Sequence, residues 1–210
     1  MDQKKVWDEI SEPWKNFRSK PIPEVMEFLD GKKGNILDLG CGGGRNFKKI
    51  NGIIYGVDFS EKQLEFAKEY ADKKNIKVKL TQSSADKLPF KNNFFDAAIC
   101  INVIHCINSK EKRENSLKEL FRTLKPKAQT IISVWDRSQK RLKNKPKICY
   151  IPWTVNGKKY QRYTYIYDKE ELIELLKKVG FKIIEIENKS LNKEEGLYKT
   201  KNIIFLVEKP

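Results

Sequence analysis

The segment "ILDLGCGGG" (36–44) carries an apolar run straight into four glycines within five positions, Gly40, Gly42, Gly43 and Gly44. An apolar run without polar alternation suits a strand covered on both faces, and glycines at its end let the backbone turn tightly and approach a ligand. A strand of that kind needs a layer on each side, which limits the chain to α/β architectures if strands and helices go on alternating. They do. "GIIYGVDFS" is a second apolar run, and Ser60 caps a helix with Leu64, Phe66, Ala67 and Tyr70 on its apolar side. "KVKLTQSSA" starts a third strand and "FFDAAICINVIHCI" reads as a fourth, ending near Asn102. Leu117, Leu120, Phe121 and Leu124 recur at helical spacing before a fifth strand, "TIISVWD".

A short helix is expected over "SKPIPEVMEFLDGKKG", stopping at Gly31, and a helical turn from Asn46 to Ile50. "DKEELIELLKKVGF" is an amphipathic helix capped at Asp168 and ended by Gly180, followed by "KIIEIENKS" and "NIIFLVEKP" as a closing pair of strands. The prediction is an α/β fold: a doubly wound, mostly parallel, seven-stranded sheet with an antiparallel C-terminal strand. Residues 1–210 read as one domain, with an N-terminal helical cap (1–34) and a basic insertion (137–167).

The net charge of +15 leaves two explanations, attraction to a polyanion such as nucleic acid or an evenly spread, solvated lysine surface. Clustering favours the first, because "RSQKRLKNKPK" (137–147) packs six cations into eleven residues with Leu142 as its one apolar residue. No apolar run approaches the roughly 20 residues that span a bilayer, and "MDQKKVWDEISEPW" lacks a signal-peptide core, so no membrane association and a cytoplasmic location are expected. Cys41, Cys100, Cys106 and Cys149 form no C-x-x-C pair, so reduced thiols and no metal site are expected.

Glycines after a first strand serve either a bare turn or a nucleotide site. Asp58, 18 residues past Gly40 at the end of the second strand, favours the site, because a carboxylate there suits two ribose hydroxyls. No Gly-Lys-Ser/Thr follows, which argues against triphosphate cradling, and Phe47 stands where a dinucleotide loop would want a third glycine. "LDLGCGGG", "GVDFS", "SADKLPF" and "FDAAICINVIHCI", in this order and spacing, resemble the successive motifs of class I S-adenosylmethionine-dependent methyltransferases over about the first 135 residues. The resemblance implies a cofactor site made of Asp38, Gly40, Gly42, Gly44, Asp58, Phe59, Ala85, Asp86 and Asn102. In it Asp38 and the glycine backbone face the methionine moiety, Asp58 the ribose, and Asp86 the adenine amino group with Ala85 beside it. For Asp86 a plain turn-capping role stands as the alternative.

Beyond this core, Asp8 to Ile10, Arg18, Ile104-His105, Val134-Trp135, Pro152-Trp153 and Arg162-Tyr163 resemble the tRNA wobble-uridine methyltransferases that esterify 5-carboxymethyluridine. Ile22, Cys106 and Thr164 depart from that pattern. The resemblance implies tRNA as substrate and, as partner, a small zinc-binding activator protein on an edge of the sheet. A carboxylate acceptor is ionised at neutral pH and needs no general base, so the enzyme's task is placement. Arg18 and Arg162 are candidate anchors for the modified nucleotide, and Trp135, Trp153 and Tyr163 a candidate stacking platform. For the arginines the alternative is a solvated surface position, and for Trp153 a seal on the open edge of the sheet.

His105, the only histidine, is placed at the pocket mouth as an orienting residue rather than a base or metal ligand, with a pocket-wall role as the alternative. Two other functions fit the core motifs, a methyltransferase acting on a small quinone-precursor or lipid-like acceptor and a non-catalytic RNA-binding protein. The polar late region disfavours the former; the intact glycine loop and its acids disfavour the latter.

Overall fold

The computed structural model describes residues 2–190 and 201–210. Residue 1 of the expected cap and residues 191–200 of the expected single domain lie outside the described residues. Seven strands form one sheet: β1 (Lys33–Leu39), β2 (Asn51–Asp58), β3 (Val78–Gln82), β4 (Phe95–Ile101), β5 (Leu124–Trp135), β8 (Lys182–Ser190) and β9 (Lys201–Glu208). Their order is β3-β2-β1-β4-β5-β9-β8, and only β9 runs antiparallel to its neighbours. This is the sheet expected from the sequence.

Period-2 alternation assigns each strand's side chains to two faces. Ile36, Ala97, Ile99, Ile131 and Ile204 pack against Val25 and Leu29 of α3 (Pro23–Leu29). On the same face Ile54 meets Leu64, Ala67 and Ala71 of α4 (Glu61–Lys74). The other face sets Leu37, Leu39, Cys100, Ile132 and Phe205 against Leu117 and Leu120 of α5 (Lys110–Thr123) and Leu172 and Leu176 of α6 (Lys169–Val179). Fully burying one such side chain contributes about 1.5–3 kcal/mol, so both faces hold the sheet.

The chain departs from the expected alternation at four places. No helix forms between Asn46 and Ile50: residues 40–50 make only turns between adjacent parallel strands. Gly40, Gly42 and Gly44 take φ of +70°, +52° and +76°, Phe47 is buried beneath the loop, and Asn46 Oδ1 accepts from Ile22 N–H. Eleven residues spent this way leave no length for a helix. β4 stops at Ile101, and Ile104–Cys106 form a 3₁₀ turn rather than more strand. Asp168 precedes α6 as expected, but its carboxylate makes no bond to the helix backbone and pairs with Arg137 and Lys147 instead.

The fourth departure is within the basic insertion. Residues 148–165 form an antiparallel hairpin of β6 (Ile148–Val155) and β7 (Lys158–Tyr165), joined by Asn156-Gly157 with φ of +48° and +77°, the geometry of a tight two-residue turn. Leu142 anchors the preceding loop, fully buried with Trp135, Cys149, Ile151 and Ile166. Two short helices, α1 (Gln3–Glu9) and α2 (Ser11–Phe17), complete the fold. The Gln3 side chain accepts from Tyr163 N–H (2.8 Å) and donates to Gln161 O (3.3 Å), which fastens α1 to the hairpin. None of the helices of the described residues is long and apolar enough to cross a membrane.

Candidate active site

A cavity of about 750 Å³ lies at the carboxyl ends of the parallel strands, walled by the glycine loop, the ends of β2, β4 and β5, the start of α4, and helices α1 and α2. Gly40 and Cys41 N–H both donate to Val57 O (2.7 and 3.0 Å), folding the loop across the end of β2. A Cβ at Gly40 would stand 2.3 Å from Val103 Cγ2, so this position needs glycine for space as well as for its φ. Gly42 N–H donates to Asp58 Oδ2 (2.9 Å) and Ser60 N–H to Oδ1 (3.0 Å). Each carboxylate oxygen keeps acceptor capacity for a ligand hydroxyl. Burial lifts the Asp58 pKa to about 6 despite these backbone donors. Ser60 also donates its hydroxyl to Asp8 (2.5 Å), which ties α1 to the acid at the end of β2.

Of the cofactor residues expected from the sequence, Gly40, Gly42, Asp58, Phe59, Ala85 and Asn102 line the cavity. Asp38, Gly44 and Asp86 lie outside this lining. Asp38 alternates with Leu37 and Leu39, so it points to the opposite face, beneath the loop. There burial and then the nearby Asp58 charge raise its pKa to about 8, with Arg45 opposing, and its Oδ2 has no hydrogen-bond partner among the described residues. Gly44 faces Phe47 and Ala67, settling the loop onto α4. Asp86 accepts from the Ser84 hydroxyl, so the turn-capping alternative describes it better. Gln63 is a wall residue that the sequence reading missed. It sits in the first turn of α4, buried, with Oε1 lacking a partner among the described residues.

On the acceptor side, Arg18, His105 and Trp135 line the same cavity. The His105 ring lies 4.7 Å from that of Trp135, tilted 36°, and neither ring nitrogen has a hydrogen-bond partner among the described residues. Burial, with Arg141 and Arg162 nearby, presses the His105 pKa down to about 3, so the imidazole is neutral throughout the physiological range. Arg162 is buried and does not line the cavity. All four tryptophans of the chain surround its guanidinium: Trp14 at 4.9 Å, Trp153 at 5.2 Å, Trp135 at 5.9 Å and Trp7 at 6.0 Å. Of these four rings, Trp7, Trp14 and Trp135 line the cavity. Trp153 packs edge-on against Trp14 and Phe17, and Tyr163 is buried and accepts from Arg113 Nη1 (3.2 Å). Neither is part of a stacking platform in the cavity; each seals the hairpin onto the body.

The family described as a methyltransferase domain matches residues 37–132. Over those residues the chain is similar to methyltransferase domains. The match runs from β1 into β5 and contains the glycine loop, Asp58 and His105. A mouse (Mus musculus) protein named "Probable tRNA methyltransferase 9B" is 32% identical over 152 residues, 70% of this chain and 32% of that protein. The chain thus spans about a third of the length of the first relatives it matches. The "tRNA (carboxymethyluridine(34)-5-O)-methyltransferase" of Schizosaccharomyces pombe is 28% identical and is matched over 86% of this chain and 88% of its own length. Among solved structures, a methyltransferase in complex with the Haloferax volcanii Trm112 methyltransferase activator shares the fold, with a TM-score of 0.72, 14% identity, and coverage of 100% of this chain and 99% of that one.

The wall of the cavity suits S-adenosylmethionine. Asp58 offers acceptors for vicinal hydroxyls, the backbone at Gly42 comes close with only Gln63 Oε1 within 4 Å of a would-be Cβ, and Phe59 and Val57 supply apolar surface. The orphaned Gln63 oxygen and the desolvated Asp58 together favour a cationic ligand over a phosphate. Among the described residues no group of His, Cys, Asp and Glu side chains is placed to hold a metal ion.

Proposed function

We propose that the methyltransferase domain transfers a methyl group from S-adenosylmethionine to the carboxylate of 5-carboxymethyluridine at the tRNA wobble position. One observation carries this reading: the imidazole at the acceptor side is buried and neutral, and the charges acting on it, Arg141 and Arg162, are both positive. A weak base among cations is poorly suited to deprotonating a hydroxyl or amine. It suits an acceptor that arrives as an anion. The names of the S. pombe and mouse relatives support the substrate class.

S-adenosylmethionine, when bound, supplies a methyl carbon made electrophilic by its sulfonium. Because the acceptor carboxylate is already ionised, the residues around it would have no proton to remove and would only need to hold it in line with that carbon. Asp58 and the loop backbone fix the donor. Arg18, on the cavity wall beside Trp14 and Phe17, anchors the acceptor's carboxylate or an adjacent phosphate. His105 and Trp135 set the position of the base. Arg162 is a positioning residue that keeps the tryptophan wall in place and its potential positive. In-line placement of this kind is worth several kcal/mol of barrier.

The same reading includes a small zinc-binding activator protein at a free edge of the sheet. β3 is such an edge, five residues long and in part exposed. The related fold of the H. volcanii complex supports this partner. Incubation with labelled S-adenosylmethionine and bulk tRNA lacking the ester, with and without the activator, followed by nucleoside mass spectrometry, tests the proposal. Label in a base-labile uridine ester is the expected result; label only in small acceptors, with none in RNA, would overturn it.

A further inference from the structure

Residues 137–167 contain nine lysines and arginines and no aspartate or glutamate. The structure divides these nine by what they do. Arg137 and Lys147 are turned to Asp168 and Glu171 of the α6 start, and Arg141 and Arg162 lie against the rings of the tryptophan wall. Lys140, Lys143, Lys145, Lys158 and Lys159 remain, all exposed.

The apolar surface of the same segment is divided in the same way. Cys149 and Ile151 face inward, whereas Ile148 and Tyr150 on the outer face of β6 are 54% and 50% exposed, two of the four exposed large hydrophobic residues among those described. The Tyr150 ring is held edge-on by Tyr163 at 5.9 Å, so half of it stays open to solvent in a fixed orientation. Tyr163 is directly across the ladder from Tyr150 and adjoins Arg162 in sequence. The outer surface is therefore one sheet thickness from the wall of the cavity.

We infer that the 137–147 loop and the outer face of β6 form a docking surface for the phosphodiester backbone and unstacked bases of a single-stranded RNA loop, with Lys140, Lys143 and Lys145 meeting phosphates and Tyr150 stacking on a base. Tyr150 is held on edge by Tyr163 with about half of its surface open, on the strand that follows the lysine-rich loop, and a base has the π-face that such a ring can stack on. Leu142, fully buried within the loop, fixes the lysines on either side of it, so the cations are presented by an anchored segment. This inference rests on the reading that the acceptor nucleotide belongs to a tRNA. It adds which surface holds the rest of the RNA.

The test is direct binding of the full chain to a fluorescent anticodon stem–loop RNA, measured across a salt series. Lys140→Ala/Lys143→Ala/Lys145→Ala should weaken binding at least tenfold near physiological salt and lower the slope of log K against log salt by about 2–3, given roughly 0.7–0.9 per phosphate contact. Tyr150→Ala should weaken binding roughly tenfold with the salt slope unchanged, because stacking releases no counterions. The corresponding triple Lys→Arg variant should bind as wild type does. Thermal melting and S-adenosylmethionine affinity, unchanged in each variant, show that fold and donor site are intact. Unchanged RNA affinity and salt slope in the triple alanine variant, while wild type still methylates tRNA, would overturn the surface and leave the proposed function standing. Failure of wild type to methylate tRNA, with RNA binding still dependent on these lysines, would overturn the function alone. Equal or tighter binding to phosphatidylserine vesicles, lost in the same variants, would also overturn the RNA assignment.

Discussion

Replacing Asp38 by Asn should remove a pH dependence of stability that the structure places on one buried carboxyl. Its pKa is about 8 in the folded chain, raised first by burial and then by Asp58, against about 3.8 when solvated. Because the folded value is the higher one, the native state holds a proton that the unfolded chain has released, and stability falls as pH rises between the two values. The loss runs at about 1.4 kcal/mol per pH unit and levels off near pH 8, which gives roughly 2 kcal/mol between pH 6 and pH 8. Asp58, with a folded value of about 6, adds a loss of the same sign that is nearly complete by pH 7. His105, lowered to about 3, acts oppositely, its release of an unfolded-state proton raising stability up to about pH 7. Both persist in the Asn variant and cancel in a comparison. Urea melts of wild type and Asp38→Asn at pH 6, 7 and 8 should therefore diverge, the variant losing about 2 kcal/mol less than wild type over that range. Parallel curves would show that Asp38 is ionised in the folded chain and that the charge ordering beneath the glycine loop is wrong.

Asp58→Asn should weaken S-adenosylmethionine binding by about 1.5–3 kcal/mol in calorimetry, the range for hydrogen bonds to a charged group. His105→Ala should slow single-turnover methyl transfer while leaving donor affinity unchanged. Because the His105 pKa of about 3 lies far below the range, the wild-type and His105→Ala pH–rate profiles should have the same shape from pH 6 to 8. Leu142→Ala, at a side chain with no exposed surface, should cost about 2–5 kcal/mol in denaturant melts, because a cavity opens beneath the basic loop.

Local signals made much of this legible in the sequence. The glycine run, the acid at the end of β2, the Ser60 cap and the Gly180 stop are each fixed within a few residues, and each appears where expected. Asn156-Gly157 was an equally local hairpin signal, hidden by the polar and aromatic composition around it. The placement of Asp38 beneath the loop also follows from simple alternation with Leu37 and Leu39, which the motif resemblance obscured. The tryptophan cage was not legible in any window. Trp7, Trp14, Trp135 and Trp153 come from two helices and two separate strands, and only the closure of α1 on β7 through Gln3 brings them onto one guanidinium. His105 was legible as a pocket residue, but its depressed basicity comes first from burial and then from Arg141 and Arg162, 36 and 57 residues further along the chain.

The position of β9 has a consequence for how the chain reaches its native state. This strand is the seventh of its sheet in sequence but inserts between β5 and β8, pairing Trp135 with Asn202 and Gln129 with Glu208. Until it arrives, β5 is an open sheet edge carrying Ile131, Ile132 and Val134, all buried in the finished protein. Pairings across so many intervening residues form slowly, and an apolar strand left unpaired meanwhile is a template for other chains. During synthesis, the interval between completing β5 and placing β9 is when this chain is most exposed to aggregation, and when a chaperone holding that edge would do most for its yield.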